Sequence, residues 1–336
     1  AYQGLEVGYR PVSDSAPRGP GARWRYNHAA PGEPPPERLT VGDGPPGGRP
    51  SWLREALEAN PSIRVFVATG LYDSLNSCSL NRHVVGLLDR ELQDNFTLVC
   101  YPAGHVVYED RDVRLRMKAD VSQFIRAAAP RSDSPSFGSA RGSVGAEASE
   151  LSATPPNEAA LALPGFPVFA ETDGAFRGQN PAPEDEIVTT QHSIRLAGRG
   201  LDYTARAGRL PIREDEAGEV RAHVFFVSYS VEPEPGEGLR PLLFAWNGGP
   251  GSNAGLLHVT AMGPRRMRMG DVFATADPSE MSDLVDNEAT WLPFTDLVFV
   301  DPVGTGYSRP TRAEFGPGFY DTVGDVESLA EFIRVY

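Results

Sequence analysis

The clearest candidate for chemistry in this sequence is a glycine-rich turn at residues 246–252, Trp-Asn-Gly-Gly-Pro-Gly-Ser. It follows the apolar run Leu242–Ala245, which predicts a buried strand that ends in a tight turn. Such a turn can point backbone N–H groups at one place, as the oxyanion of an acyl-transfer reaction requires. No Gly-x-Ser-x-Gly nucleophile motif occurs in the 336 residues. Ser252 is the nearest serine, and it lacks that motif's context.

Asp73 and His105 are the candidate acid–base residues, and both precede the glycine turn in the chain. Asp73 follows a predicted strand at residues 63–68, and His105 follows another at 96–101. A histidine can take the proton from a hydroxyl and return it to a leaving group, because its pKa is near neutral. A carboxylate can hold the imidazole in one tautomer. The alternatives are an aspartate that forms a turn or caps a helix, and a structural histidine.

The glycine turn also has two other interpretations, a tight turn without function and a phosphate-binding nest. It has neither the lysine of a P-loop nor Gly-x-Gly-x-x-Gly spacing. The histidines other than His105 lack the spacing of metal ligands. We therefore predict neither a metal ion nor a cofactor.

Charge and hydropathy restrict the class of partner. Asp and Glu number 45 against 31 Lys and Arg, which gives a net charge of −14. This acidic balance argues against a nucleic acid or an anionic membrane as partner. No apolar run approaches the roughly 18 residues of a membrane span. With 40% hydrophobic residues, the chain can still build a core, so we predict a soluble globular protein.

The chain has two cysteines, Cys78 and Cys100. An even number of cysteines favours a disulfide in an exported protein, whereas two free thiols are the default in the cytosol. The pairing is thus conditional on an extracytoplasmic location, either secreted or periplasmic. No signal peptide is visible in the sequence.

Three regions differ in their sequence pattern. Within residues 1–129, a Pro- and Gly-rich stretch to residue 50 precedes predicted helices at 51–59, 82–92 and 113–129, which alternate with the two strands named above. Residues 130–185 lose apolar periodicity and predict a flexible linker. Residues 186–336 predict a hairpin, further strands and a last helix at 322–336. The fold class is α/β, with a doubly wound sheet.

Several motifs resemble the serine carboxypeptidases, a family of α/β-hydrolases. The strings are Trp-Asn-Gly-Gly-Pro-Gly at 246–251, Gly-Pro-Arg-Arg at 263–266 and Asp-Leu-Val-Phe-Val-Asp-Pro-Val-Gly-Thr-Gly-Tyr-Ser at 296–308. They are similar to the N-terminal half of that family. Gly-Leu-Tyr-Asp at 70–73 and Ala-Gly-His-Val-Val-Tyr at 103–108 are similar to its C-terminal end.

The resemblance implies an α/β-hydrolase sheet that is mostly parallel, incomplete and in permuted order, since that fold runs oxyanion loop, Ser, Asp, His. It makes residues 1–129 a C-terminal portion and 186–336 an N-terminal portion of the family domain. The nucleophile segment is absent from the sequence. We prefer two truncated tandem copies as the explanation, with a circular permutant as the second. Both predict that the parent sequence continues past Tyr336 into the serine segment.

The resemblance also assigns residue roles. Asp73 and His105 are catalytic, Gly249 contributes an oxyanion N–H, and Asn247 binds the C-terminal carboxylate of a peptide substrate. A neutral amide satisfies that carboxylate without adding a charge to the pocket. Two positions depart from the family pattern: Ser252 stands where many members have cysteine, and Ala261 where classical members have glutamate.

The implied activity is serine-type carboxypeptidase hydrolysis through an acyl-enzyme. The alternatives are an esterase or acyltransferase that uses the same intermediate, and a non-catalytic module. Without a nucleophile, we expect the 336-residue chain alone to be inactive. We also expect it to associate through exposed sheet edges, because the central strands are missing.

Overall fold

The computed structural model describes residues 52–74, 76–128, 187–214, 218–233, 238–248, 251–267 and 284–336. The Pro- and Gly-rich residues 1–50 and the predicted linker 130–185 lie outside this part of the chain. We call residues 52–128 the first segment and residues 187–336 the second segment. The structure is a mixed α/β arrangement in both. No helix within the described ranges is long and apolar enough to cross a membrane.

The first segment alternates helices with two strands. Its elements are α1 (Trp52–Ala59), β1 (Val65–Gly70), α2 (Cys78–Gly86), α3 (Arg90–Gln93), β2 (Phe96–Tyr101) and α4 (Arg111–Ala128). The strands β1 and β2 pair in parallel, with Gly70 opposite Tyr101. The prediction of a single helix at 82–92 is wrong, because the structure has two helices there. Helix α2 begins after its N-cap Ser77 and ends at Gly86, and α3 starts after Asp89. Glycine is a poor helix former, which explains the break.

The second segment is built around one sheet. Its elements are β3 (Val188–Leu196), β4 (Arg199–Arg213), β5 (Val220–Ser230), β6 (Leu242–Ala245), β7 (Arg265–Arg266), β8 (Val285–Asp286), β9 (Asp296–Val300), β10 (Arg309–Pro310) and α5 (Thr322–Val335). The strand order is β3-β4-β5-β9-β6, and β10 pairs with β5 at its side. A π-helix, Leu257–Met262, follows the glycine turn.

The direction of these strands corrects the sequence prediction. A mostly parallel sheet was expected, but β3, β4, β5 and β9 pair antiparallel, and only β6 and β9 run parallel in the described sheet. For β3, β4 and β5 the reason is the short length of the connections, because antiparallel strands need only a hairpin whereas parallel strands need a long crossover. The two residues between β3 and β4, Ala197 and Gly198, have φ of 48° and 82°, as a type I′ hairpin turn requires.

Two hydrophobic clusters form the core. One lies between β4, β5, β9 and α5 of the second segment and contains Phe226, Val298, Val300 and Phe332. The other combines both segments, with Tyr101 and Met117 from the first and Leu292, Leu297 and Phe299 from the second. We call this cluster of residues from both segments the shared cluster. The ends of β2 and β6 both pack in it.

A disulfide bond joins Cys78, the first residue of α2, to Cys100 in β2, with 5.9 Å between their Cα atoms. The cross-link closes a loop with a sequence separation of 22 residues. The bond connects the helix that follows Asp73 to the strand that precedes His105.

We expect the Cys78→Ser/Cys100→Ser variant to unfold with a free energy about 3 kcal/mol lower than the wild type, because an open chain gains loop entropy on unfolding. Urea titration followed by circular dichroism measures the difference. Wild-type protein kept reduced should match the variant, and the variant should not respond to reductant. Equal midpoints for oxidised wild type and variant would show that the bridge does not stabilise the fold.

Candidate active site

The parallel pairing of β1 and β2 brings Asp73 and His105 together. Asp73 lies three residues after the end of β1, and His105 lies four residues after the end of β2. The two loops approach closely, since a Cβ atom at Gly70 would lie 2.1 Å from the carbonyl oxygen of Gly104. Only glycine fits at position 70 without displacing that backbone. The close approach carries the two side chains to the same edge of the strand pair.

Asp73 and His105 form a hydrogen-bonded pair. His105 Nδ1 donates to Asp73 Oδ2 over 2.9 Å, and the backbone N–H of Asn76 donates to Asp73 Oδ1 over 3.0 Å. The Asp73 side chain is 4% exposed, whereas that of His105 is 56% exposed. The carboxylate is therefore buried and held at both oxygens, and the imidazole reaches solvent. This arrangement orients a histidine whose Nε2 can exchange a proton with a hydroxyl group.

The glycine turn follows β6, and part of it is described. Asn247 is half-buried, and its Oδ1 accepts the backbone N–H of Gly248 over 3.0 Å. Gly251 has a φ of 102°, which a residue with a side chain rarely adopts. Gly249, the predicted oxyanion residue, lies outside the described residues together with Pro250. The Asn247 amide nitrogen remains the atom through which this residue can donate to a substrate carboxylate.

Asp301 holds the region around the turn, a role that the sequence interpretation did not assign. It follows β9, and its two oxygens accept the backbone N–H groups of Ala254, over 3.0 Å, and Tyr307, over 3.1 Å. A Cβ atom at Gly306 would lie 1.8 Å from Asp301 Oδ2, so that glycine cannot be replaced without moving the carboxylate. Burial raises the pKa of Asp301, and the two N–H donors oppose this shift. The signal in the sequence is an aspartate directly after a buried strand, followed by two closely spaced glycines.

A buried tyrosine–histidine pair lies behind the turn and was also missed. His258 sits on the π-helix that follows the turn, and its Nε2 is 2.6 Å from Tyr229 Oη. Its ring stacks on Phe299, with 4.5 Å between ring centroids. Burial lowers the pKa of His258 to about 4 and raises the pKa of Tyr229. The neutral histidine is therefore part of the core beneath the turn.

Both parts of the candidate site border the shared cluster. Ala103, two residues before His105, packs against it, and Ala245, the last residue of β6, belongs to it. Ala254, which Asp301 holds, is another member. The shared cluster thus connects the loop that carries His105 with both ends of the glycine turn.

Comparison with known proteins identifies part of the chain. Residues 203–332 match the family model described as "Serine carboxypeptidase", so this part of the chain is a serine carboxypeptidase family region. The matched residues include Asn247 and Asp301. They do not include Asp73 or His105.

The relatives are yeast enzymes. The pheromone-processing carboxypeptidase KEX1 of Saccharomyces cerevisiae strain S288c is 31% identical over 114 residues, which are 33% of this chain and 14% of the relative. KEX1 of strain Lalvin EC1118 matches with the same identity and coverage. The chain thus spans about a seventh of the length of these curated relatives, from the 14% coverage.

A crystal structure of KEX1(Δ)p, a prohormone-processing carboxypeptidase from Saccharomyces cerevisiae, shares 26% identity with this chain. The superposition has a TM-score of 0.31 and covers 39% of this chain and 27% of that one. A score of this size does not establish a common fold.

The Asp73–His105 contact predicts the tautomer of the imidazole. In the wild type, neutral His105 should carry its proton on Nδ1, because the Asp73 carboxylate can only accept. In Asp73→Asn, the new amide can donate to Nδ1, so the proton should move to Nε2. Nitrogen-15 NMR of the imidazole distinguishes the two forms. Asp94→Asn, a change at an exposed carboxylate, is the control and should leave the tautomer unchanged. A wild-type ring protonated on Nε2 would contradict the assigned contact.

The lowered pKa of His258 predicts that this residue destabilises the folded chain at acidic pH. Its pKa falls from 6.5 to about 4 on folding, so between these values the unfolded chain binds a proton that the folded chain does not. The contribution of His258 to the free energy of unfolding should therefore decrease as the pH falls from 6.5 to 4, by up to roughly 3 kcal/mol. Thermal or urea unfolding across this range measures the change.

The matched variant is Tyr229→Phe/His258→Phe, which removes the titrating ring without leaving a buried hydroxyl unpaired. The free energy of unfolding of the wild type, minus that of the variant, should fall by up to roughly 3 kcal/mol as the pH falls from 6.5 to 4. Asp325, whose pKa is raised to about 6 by burial and by the Asp321 charge, acts in the opposite direction. Since Asp325 is present in both proteins, its effect cancels in the comparison. Equal pH slopes in variant and wild type would show that His258 titrates normally.

Proposed function

Because residues 203–332 are a serine carboxypeptidase region, we propose that the protein is a serine-type carboxypeptidase, or part of one, that acts on the C-terminal residues of peptides. The observation that carries the proposal is the buried Asp73 carboxylate, hydrogen-bonded over 2.9 Å to an imidazole that is open to solvent. The family region supplies the class of reaction and the peptide substrate. The Asp73–His105 pair carries out the proton transfer.

In this proposal, His105 Nε2 takes the proton of an attacking serine and later donates it to the leaving amine. Asp73 keeps the Nδ1–H oriented and stabilises the imidazolium that forms. The sequence has no Gly-x-Ser-x-Gly, so the serine comes from a segment outside these 336 residues. For the same reason, we expect the 336-residue chain to be inactive by itself.

The glycine turn has the complementary task. Gly249 donates a backbone N–H to the oxyanion, where charge develops in the transition state. The Asn247 side chain donates to the terminal carboxylate of the substrate. Asp301 acts as a positioning residue, because its bond to Ala254 holds the chain just after the turn. Preorganised donors of this kind do not need to rearrange during the reaction.

We further propose an extracytoplasmic location, in the secretory pathway or the periplasm. The disulfide between Cys78 and Cys100 supports it, because such bonds persist in oxidising compartments. The similarity to a pheromone-processing carboxypeptidase also supports this location.

The test uses the protein extended to include its nucleophile segment. It should label with a fluorophosphonate probe and release the last residue of an N-blocked peptide. His105→Ala should lower kcat by about four to six orders of magnitude, as removal of a catalytic histidine does. His83→Ala, at an exposed histidine on α2, is the control and should retain activity.

Two further results separate the alternatives. Amidation of the peptide C-terminus should reduce kcat/KM by about tenfold or more, because one charge-assisted hydrogen bond to Asn247 is lost. Hydrolysis of esters without hydrolysis of peptides would instead support an esterase or acyltransferase. Absence of both labelling and turnover in the extended protein would support a non-catalytic module.

A further inference from the structure

One face of helix α4 carries basic side chains that contact Glu288 of the second segment. Arg111, Arg114 and Lys118 are spaced three and four residues apart, so they lie on the same side of the helix. Arg111 Nε donates to Glu288 Oε1 over 3.1 Å, and Lys118 Nζ donates to the Glu288 backbone oxygen over 2.9 Å. Both the carboxylate and the carbonyl of Glu288 are therefore bound by α4. We call these interactions the α4–Glu288 contact.

The contact includes a buried charge. The Arg114 side chain is 3% exposed, its Nη1 donates to the carbonyl of Tyr108 over 2.9 Å, and its Nη2 lies 3.9 Å from Glu288 Oε1. Arg266, from the second segment, approaches the other carboxylate oxygen at 3.5 Å. A buried guanidinium is costly unless a negative charge lies close to it. Glu288 provides that charge between cations from both segments.

Apolar packing supports the same association. The neighbouring face of α4 carries Val113, Met117 and Val121, which are buried members of the shared cluster. Trp291 and Leu292, just after Glu288, are members too. Helix α4 is amphipathic, and both its apolar stripe and its charged residues contact the second segment. The helix is therefore packed as part of one core.

We propose that the first and second segments form one folding unit in permuted order, in which the α4–Glu288 contact holds the Asp73–His105 pair and the glycine turn at a single site. The shared core and the Arg114–Glu288 contact join the two segments within one chain, whether the segments derive from one permuted domain or from two adjacent copies. The inference concerns assembly only and does not rest on catalysis.

The composition of the chain provides a direct test, because Lys118 is its only lysine. A water-soluble carbodiimide activates a carboxylate, the lysine amine attacks the activated carbon, and the reagent leaves as its urea with one carboxylate oxygen. The product is an amide bond without a spacer. Burial lowers the pKa of Lys118, although the Glu288 charge opposes this, and more of the amine is therefore available for attack.

The experiment treats an equimolar mixture of nitrogen-14 and nitrogen-15 chains with the carbodiimide and identifies linked peptides by mass spectrometry. We expect a Lys118–Glu288 link in which both peptides carry the same isotope. Lys118→Arg is the control: it keeps the cation and should abolish the link. Mixed-isotope links would show that the contact joins two chains, and a link from Lys118 to a carboxylate other than Glu288 would show that the contact does not form. Either result overturns the proposal, and neither depends on enzymatic activity.

Discussion

The arrangement of this protein depends on the burial of apolar surface between α4, β2 and the second segment. Tyr101 and Leu292 are fully buried in the shared cluster, one from each segment. Burial of a large side chain stabilises the folded chain by about 1.5–3 kcal/mol, so several such residues outweigh any single surface ion pair. The charges at Glu288 then select the register in which the two segments meet, because a displaced Arg114 would lose its counter-ion.

The parallel strand pairs explain where the candidate functional residues lie. The carboxyl end of β1 and β2 leads to Asp73 and His105, and the carboxyl end of β6 and β9 leads to Asn247 and Asp301. In open α/β sheets, ligands bind at this edge. The antiparallel strands β3, β4 and β5 contribute core residues, and no candidate site residue lies on them. The protein thus uses hairpins as scaffold and parallel pairs to carry its candidate site.

The sequence predicted the elements best where turn-forming residues bound a short apolar run. The expected bounds of β2 and β6 agree with the structure. The contact of Asp73 with His105 agrees with the roles that the resemblance to the serine carboxypeptidases implies for them. Strand direction was not, because alternation of apolar residues defines a strand but not the orientation of its neighbour. The bonds from Asp301 to Ala254, from His258 to Tyr229 and from Glu288 to Arg111 join residues 47, 29 and 177 positions apart, and no local pattern identifies these partners.

The central claim is that the two segments fold as one unit around the shared cluster. Native-state hydrogen exchange in increasing urea, resolved by peptide mass spectrometry, tests it most directly. The amides of β2 and β9 should open with the same free energy and the same dependence on urea, as residues of one cooperative unit do. If β2 and α4 opened at a much lower free energy while β9 stayed protected, the segments would be separate units and the claim would be wrong.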